Sequence, residues 1–529
     1  MPGTYTYPGV YIEEIPSGVR TITGVSTSDT AFVDFFARGP VNQAVRITSF
    51  GDFERVFGGL DGRSEASYAI QQFFLNGGSV AWVVRVAPGA VAATLMLQGG
   101  SPLVNTLSVA AASPGLWGNN LQVGVDHNTR TTGLFNLVVR EVVTVGGRRQ
   151  VVNSETYRNL SMSTGSSRNA VSVVNEASSL VQLTGQGATA LPTPTATDVV
   201  ASTSETDFLA LGGSASDGDT PGSTAWLTSG PTALIGSEAA RTGMHALDGI
   251  VPFIFNILCL PAAAGLSATG LTSVVTAAEA YCESKRAFLL LDIPASIDTL
   301  AEMISWMTSN DGLRHRNAAV YFPRLEIPDL RNESRLRDVG PSGTLAGVFA
   351  RTDATRGVWK APAGTDADLR GAAPILKLND LDNGAINPLG INALRNFPIF
   401  GNISWGGRTL DGADQQASEW KYIPVRRTAL YIEESLYQGL KWVVFEPNDE
   451  PLWAQIRLNA GAFMQNLFRQ GAFQGATPRD AYFVKCDKET TTQNDINLGI
   501  VNIVVGFAPL KPAEFVVIKL QQMAGQVAV

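Results

Sequence analysis

Between residues 250 and 324 the chain alternates short apolar runs with amphipathic stretches, reading "IVPFIFNILCLP", "TSVVTAAEAYCESKR", "AFLLLDIP", "SIDTLAEMISWMTS" and "AAVYFPRL". Apolar runs of about four to eight residues bounded by Pro or charge read as buried strands, and the longer stretches between them as helices. Strands alternating with helices of this length admit few topologies, and the favoured one is a parallel sheet joined by right-handed crossovers. The opening of the chain has the same texture. "TAFVDFFA" reads as a strand, "SFGDFERVFGG" and "EASYAIQQFFLNGG" as helices, the second closed by Gly77 and Gly78, and "SVAWVVRVA" as a buried strand. The expected class is α/β, with a doubly wound core.

A chain of 529 residues lies beyond the ~250–300 at which one hydrophobic core stops growing, so several domains are expected. From about 92 to 230 the α/β texture gives way to β-rich segments such as "FNLVVREVVTV" and to "TGQGATALPTPTATDVVASTSETDF", which reads as loose surface loops. This region interrupts the core, which is expected over 25–91 and 231–374. An α+β domain is expected over 375–510, with helices in "NALR", "YIEESLYQGLKWVVF" and "DEPLWAQIRLNAGAFMQNLFRQGAF" and strands in "DAYFVKCD" and "GIVNIVVGFAPL". In its longest helix Trp453, Ile456, Ala460, Phe463 and Leu467 recur at steps of three and four, forming one core-facing stripe.

Two short segments remain, 1–24 and 511–529. In "YTYPGVYIEEIPSG" Tyr5, Tyr7 and Tyr11 fall on one face of an extended strand and Val10 and Ile12 on the other; near the far end Val516, Ile518 and Leu520 oppose Phe515 and Val517. A strand apolar on both faces needs cover on both. Pro16 to Gly18 and Pro509 to Pro512 supply hinges. Both ends therefore read as arms that donate a strand to neighbouring copies.

With 45% hydrophobic and only 16% charged residues, the surface is sparsely charged, as suits one covered by partners. A net charge of −8 argues against nucleic-acid binding. Cys259, Cys282 and Cys486 are too scattered for a disulfide framework or a zinc site, and read as buried thiols. The start "MPGTYTYPG" lacks the basic and apolar regions of a signal peptide, and no stretch suits a membrane span, so synthesis and folding in the cytosol without membrane insertion are expected.

Catalytic readings fare poorly. Asp292, His315 and Ser342 follow the chain order of one serine-protease triad, the basis for an alternative reading as an α/β hydrolase. Ser342 sits in "GPSGTLAG", and His315 between Arg314 and Arg316, which disfavour an imidazolium. No Gly-rich loop has the spacing of a nucleotide site, so neither catalytic residues nor a cofactor or metal are expected. The distinctive loops instead carry charge and aromatics: Arg351, Asp353, Arg356, Trp359, Lys360 and Arg408 form an expected docking surface, with Trp405, Glu433 and Glu434 among similar turns.

The motifs "YPGVYIEE", "TAFVDFFARGP", "FFLNGGSVAWVVRV", "ARTDATRGVWKAPAG", "WGGRTL", "YIPVRRTALYIEESLYQGLKWVVFEPNDEPLW" and "GFAPLKPAEFVVIKLQQ" resemble, in this order, the contractile tail sheath proteins of bacteriophages and related contractile injection systems. The resemblance covers most of the chain outside 92–230. It implies a non-enzymatic subunit that polymerises helically around an inner tube and contracts, with a subtilisin-like core that lacks that family's catalysis, an outward-facing insert and a C-terminal domain near the tube. The partners it implies are further copies of the chain, the inner tube protein, and baseplate and terminator proteins, within a phage tail or injection particle. Helix 451–469 with Arg426, Arg427, Arg457 and Arg469 is the expected tube face.

Overall fold

The run "TAFVD" forms strand β1 (Thr30–Asp34), in which every residue is buried. The structure, a computed structural model, describes residues 20–213, 215–252 and 254–519. Seven further strands complete the main sheet: β2 (Ala44–Ile47), β3 (Ala81–Arg85), β4 (Ile257–Cys259), β5 (Phe288–Leu291), β6 (Ala318–Phe322), β7 (Ile391–Phe397) and β8 (Gly401–Ser404). Their order is β8-β7-β6-β5-β4-β1-β3-β2. Strands β7, β6, β5, β4, β1 and β3 run parallel, with Thr30 opposite Ile257 on one side and Ala81 on the other. Antiparallel β2 and β8 close the two edges.

Helices cover both faces, as burial of continuous apolar strands requires. On one side Ala31, Val33, Leu258, Leu289 and Val320 share a core with α3 (Ala268–Lys285) and α4 (Leu300–Ser309), through Leu271, Val274, Met303 and Met307. On the other, Phe32 meets Phe73 of α2 (Glu65–Leu75) edge-on at 5.7 Å, and Phe288 and Tyr321 both contact Phe349 of α5 (Ser342–Arg356). Helix α1 (Phe50–Phe57) precedes α2. Caps start these helices where the chain supplies them: Ser64 and Ser267 accept from the backbone, and Thr299 with Glu302 forms a capping box.

Between β3 and β4 lie two antiparallel sheets. One pairs Thr94–Gly99, Val104–Ala111 and Val181–Gly185; the other orders Leu209–Ala210, Leu121–Asp126, Phe135–Val145 and Arg148–Leu160. They share a core that includes Leu107, Val123, Leu137 and Leu183. The Thr/Pro-rich stretch here is not loose: the Thr195 N–H donates to the Val125 carbonyl at 2.8 Å, the Val199 N–H to Asp126 Oδ2 at 2.9 Å, and Val199 is buried. Its small polar side chains bond the sheet backbone, which composition alone conceals.

The chain divides into two compact units, residues 26–426 and residues 427–529 with those up to Val25. Residues 375–426, expected to open the α+β domain, group here with the first unit. The reason lies in "INALRNF", whose "NALR" was expected to be helical and is strand β7 on β6, with Ile391 to Arg395 buried; pairing overrides the helix propensity of Ala, Leu and Arg.

In the second unit, the part of helix α6 (Ile423–Gly439) from Arg427 onward leads to α7 (Glu450–Arg469). Trp453, Ile456, Ala460, Phe463 and Leu467 of α7 are all buried. Strands β9 (Tyr482–Lys485) and β10 (Val504–Phe507) pair antiparallel, Phe483 opposite Gly506. A Cβ at position 506 would stand 2.3 Å from the Phe483 ring, so a side chain there would push that exposed ring aside. Residues 20–25 are tied to this unit as well. The Arg20 N–H donates to Asn459 Oδ1 at 3.1 Å, the Val25 N–H to Ser435 Oγ at 3.2 Å, and the Arg20 guanidinium lies 4.7 Å from the centre of the Trp442 ring.

Candidate functional site

The geometry takes the triad apart. Ser342 Oγ donates to Asp292 Oδ2 at 2.5 Å and its N–H to Oδ1 at 2.9 Å, while His315 faces Glu283 at 3.4 Å. Ser342 is buried. Asp292, at the carboxyl end of β5, thus holds the first turn of α5. Burial, reinforced by nearby Glu65, raises its pKa to about 7; burial raises that of Asp34, at the end of β1, to about 8, although Asp34 accepts from the Ala262 and Phe35 N–H groups. Arg324 lies among these carboxylates, bonded to Glu65 Oε1 at 2.6 Å, Asp338 Oδ1 at 2.8 Å and the Ile293 carbonyl at 2.9 Å. The cluster anchors helices and presents no base to a substrate.

The expected docking residues separate. Arg408 is buried and donates to the Asn387 carbonyl and to Asp414, so it holds a loop together instead of facing a partner. Arg351, Arg356 and Lys360 line one cleft of about 260 Å³ with Arg370, Asp366 and Asp368 and a floor of Ala361, Ala363 and Ala367. Arg351 pairs with Asp368 at 2.7 Å and Arg356 with Asp366 at 3.0 Å; Lys360 Nζ donates to the carbonyls of Ala361 and Ala363. Asp353 and Trp359 are half-buried, the Trp359 ring lying where a Cβ on Gly357 would project.

Of the expected tube-facing arginines, Arg426 and Arg427 are buried. Arg426 Nε donates to Asn317 Oδ1 at 2.7 Å and its guanidinium lies 4.8 Å from the Trp420 ring centre, so it belongs to the interior. Arg457 donates to the Cys486 carbonyl and pairs with Glu450, while Arg469 is exposed at the end of α7. Only Arg457 and Arg469 reach the surface. A sequence cannot distinguish an arginine that bonds interior groups from one that faces water.

At the termini, Tyr5, Tyr7, Val10, Tyr11, Ile12, Pro16, Gly18 and Leu520 lie outside the described residues. Phe515, Val516, Val517 and Ile518 are each between 76% and 80% exposed and, where a strand was expected, lie in neither strand nor helix. A strand needs a partner, and among the described residues this segment pairs with no strand. Pro509 is not a free hinge, since it bridges Phe473 while the Gln474 N–H donates to the Ala508 carbonyl at 2.9 Å; regular pairing ends there, and residues 511–519 lie in neither strand nor helix.

Two features escaped the sequence reading. The two-stranded sheet β9–β10 stands alone among the described residues. Phe445, in the loop between α6 and α7, is 102% exposed with φ +70°. Its signal was "WVVFEPNDEP", an apolar run continuing straight into turn residues.

Residues 415–522 match the family described as phage tail sheath C-terminal domain. Over 294 residues the chain is 28% identical to a prophage major tail sheath protein of Pseudomonas aeruginosa (strain UCBPP-PA14), covering 54% of this chain and 70% of that protein. It is 30% identical over 135 residues to the tail sheath protein of Vibrio phage KVP40, covering 25% and 20% of the two chains. Among solved structures, the sheath of an extracellular contractile injection system, PVC, in its contracted state superposes with a TM-score of 0.57 over 98% of both chains at 21% identity. The sheath tail protein of Listeria innocua gives 0.58 over 93% and 96% at 13% identity. These two likenesses are of fold.

Proposed function

Starting from the premise that the chain is a tail sheath protein of the contractile kind, we propose that it polymerises helically around an inner tube and contracts to drive that tube through a target envelope. The observation that carries this reading is the presence in one unit of an incomplete sheet and an exposed apolar segment near the C-terminus. Strands β9 and β10 offer a two-stranded sheet, a form marginally stable by itself in water. Residues 515–518 are apolar and exposed and, among the described residues, pair with no strand. Each can satisfy the other across two copies, and the Tyr5–Ile12 arm supplies a second donor. A four-residue edge exposes about four outward backbone groups, so each joint gains roughly four hydrogen bonds at ~1 kcal/mol net.

Such joints are head-to-tail and do not close, so they build an open helical array. Arms released at Pro16–Gly18 and near Pro512 keep copies linked while the parallel-sheet units, which we read as subtilisin-like without catalysis, shift against one another. Contraction then requires no nucleotide: a gain of ~1–3 kcal/mol per copy, typical of coupling between sites, sums over the array. In this reading residues 92–230 form an outer domain, α7 with Arg457 and Arg469 faces the tube, and baseplate and terminator proteins hold the ends of a particle assembled in the cytosol. Electron microscopy of the purified chain alone tests it. Hollow striated tubes are expected; single particles that persist after addition of the tube protein would sink it.

A further inference from the structure

Phe445 combines three unusual properties. It is completely exposed, it is held at φ +70°, a region costly for a bulky side chain, and it stands on a rigid base. Below it, Asn448 is fixed between the Ile500 carbonyl, to which its Nδ2 donates at 2.9 Å, and the Trp453 indole N–H, which it accepts at 2.9 Å. The Glu446 N–H donates to the Val443 carbonyl at 3.1 Å, and Asp449 caps α7. Exposed Val444 precedes the ring and exposed Glu446 follows it, with Asp449 and Glu450 just beyond. The result is a preorganised aromatic knob with an acidic flank, the kind of anchor that dominates protein interfaces when it finds a pocket.

The cleft behind α5 has the complementary form. Ala361, Ala363 and Ala367 give its lining an apolar part, and Arg351, Arg356, Lys360 and Arg370, the last paired with Asp368 at 3.1 Å, outnumber Asp366 and Asp368 around it. Burial, with the Arg356 charge added and Asp366 opposing, holds the Lys360 ammonium below its usual pKa. At about 260 Å³ the cleft lies below the ~300–1,000 Å³ usual for small-molecule sites, yet it accepts one aromatic ring. Guanidinium groups at its rim favour the face of such a ring.

We propose that Phe445 of one copy seats in the Arg351–Arg370 cleft of a second copy, with Glu446 pairing with Arg356 or Arg370. Knob and cleft occupy different places on one chain, so the contact is heterologous and propagates along a filament. The proposal rests on the self-assembly reading but concerns a joint independent of the arms.

The test mixes full-length Val444→Cys chains, which keep the Phe445 ring, with full-length Thr355→Cys chains under a short bismaleimide; native Cys259, Cys282 and Cys486 are buried. A cross-linked pair is expected from the mixture and from neither variant alone. Adding Arg356→Glu to the second chain should cut the yield about tenfold or more through like-charge contact with Glu446, and adding Glu446→Arg to the first should restore it. Wild-type tubes seen in the microscope without any cross-link would overturn the knob-and-cleft joint while leaving the sheath reading intact. Cross-linked pairs without wild-type tubes would support the joint and defeat that reading. If neither forms, both fall. Cross-linking that charge reversal leaves unchanged also overturns the proposal.

Discussion

The two units of this chain solve burial in opposite ways. In residues 26–426 a sheet with a six-strand parallel centre is sandwiched between helices, and its apolar strands are covered on both faces. In the unit of residues 427 onward a two-stranded sheet stands alone, Phe483 and Val504 remain exposed, and Phe445 and residues 515–518 project into solvent. The first is complete as a single copy, whereas the second leaves apolar groups exposed that the proposed assembly would cover. Stability and assembly are therefore expected to be separable by mutation.

The largest break between them comes from removing residues 1–18. Folding of both units should survive, seen as unchanged thermal melting, while tubes disappear from electron micrographs; normal tubes would refute the role of the arm. Next is a pair of truncations. Phe32→Ala should cost ~3–5 kcal/mol by denaturant titration because its site lies in a packed core. Ile518→Ala should change single-copy stability by less than ~0.5 kcal/mol, as exposed sites do, yet weaken assembly.

Acidity sharpens the contrast. Asp34 and Asp292 bind protons more tightly folded than unfolded, where carboxylates titrate near ~4. Their stabilising contribution is present below that value and is lost as pH rises through about 7 and about 8. In the other unit Asp495 is held low by hydrogen bonds from the Thr492 hydroxyl and N–H, so its contribution is present above its unfolded pKa and is lost as pH falls through its lower folded value. Hydrogen exchange resolved by peptide should show the first unit losing protection as pH rises from 5 to 8 while the second stays level there and weakens only below pH ~4, and Asp292→Asn should flatten the first. A modest gain is expected from Phe445→Gly, which should raise stability by ~1 kcal/mol through relief of the left-handed backbone; a fall would mean that the ring packs on its own chain.

What the sequence revealed follows the same division. The parallel core was legible because continuous apolar strands and capped helices are local signals, and the buried stripe of α7 because its period is unambiguous. "NALR" was misread since its propensity favours a helix and only its distant neighbour β6 makes it a strand. Arg408 and Arg426 were misread since turn-rich surroundings look solvated even where a guanidinium is bonded within the interior. The apolar terminal segments were visible as anomalies, but what completes them is not encoded nearby.

The ties of Arg20 to Asn459 and of Val25 to Ser435 bring the chain back, after four hundred residues, to the unit it left. In mechanical terms that closes a short circuit. Tension applied through both ends crosses these few bonds and the small terminal unit, and the large sheet is spared the load. A line of such molecules could be pulled or twisted as a chain of small links, each carrying its bulky neighbour as a pendant that bears none of the strain.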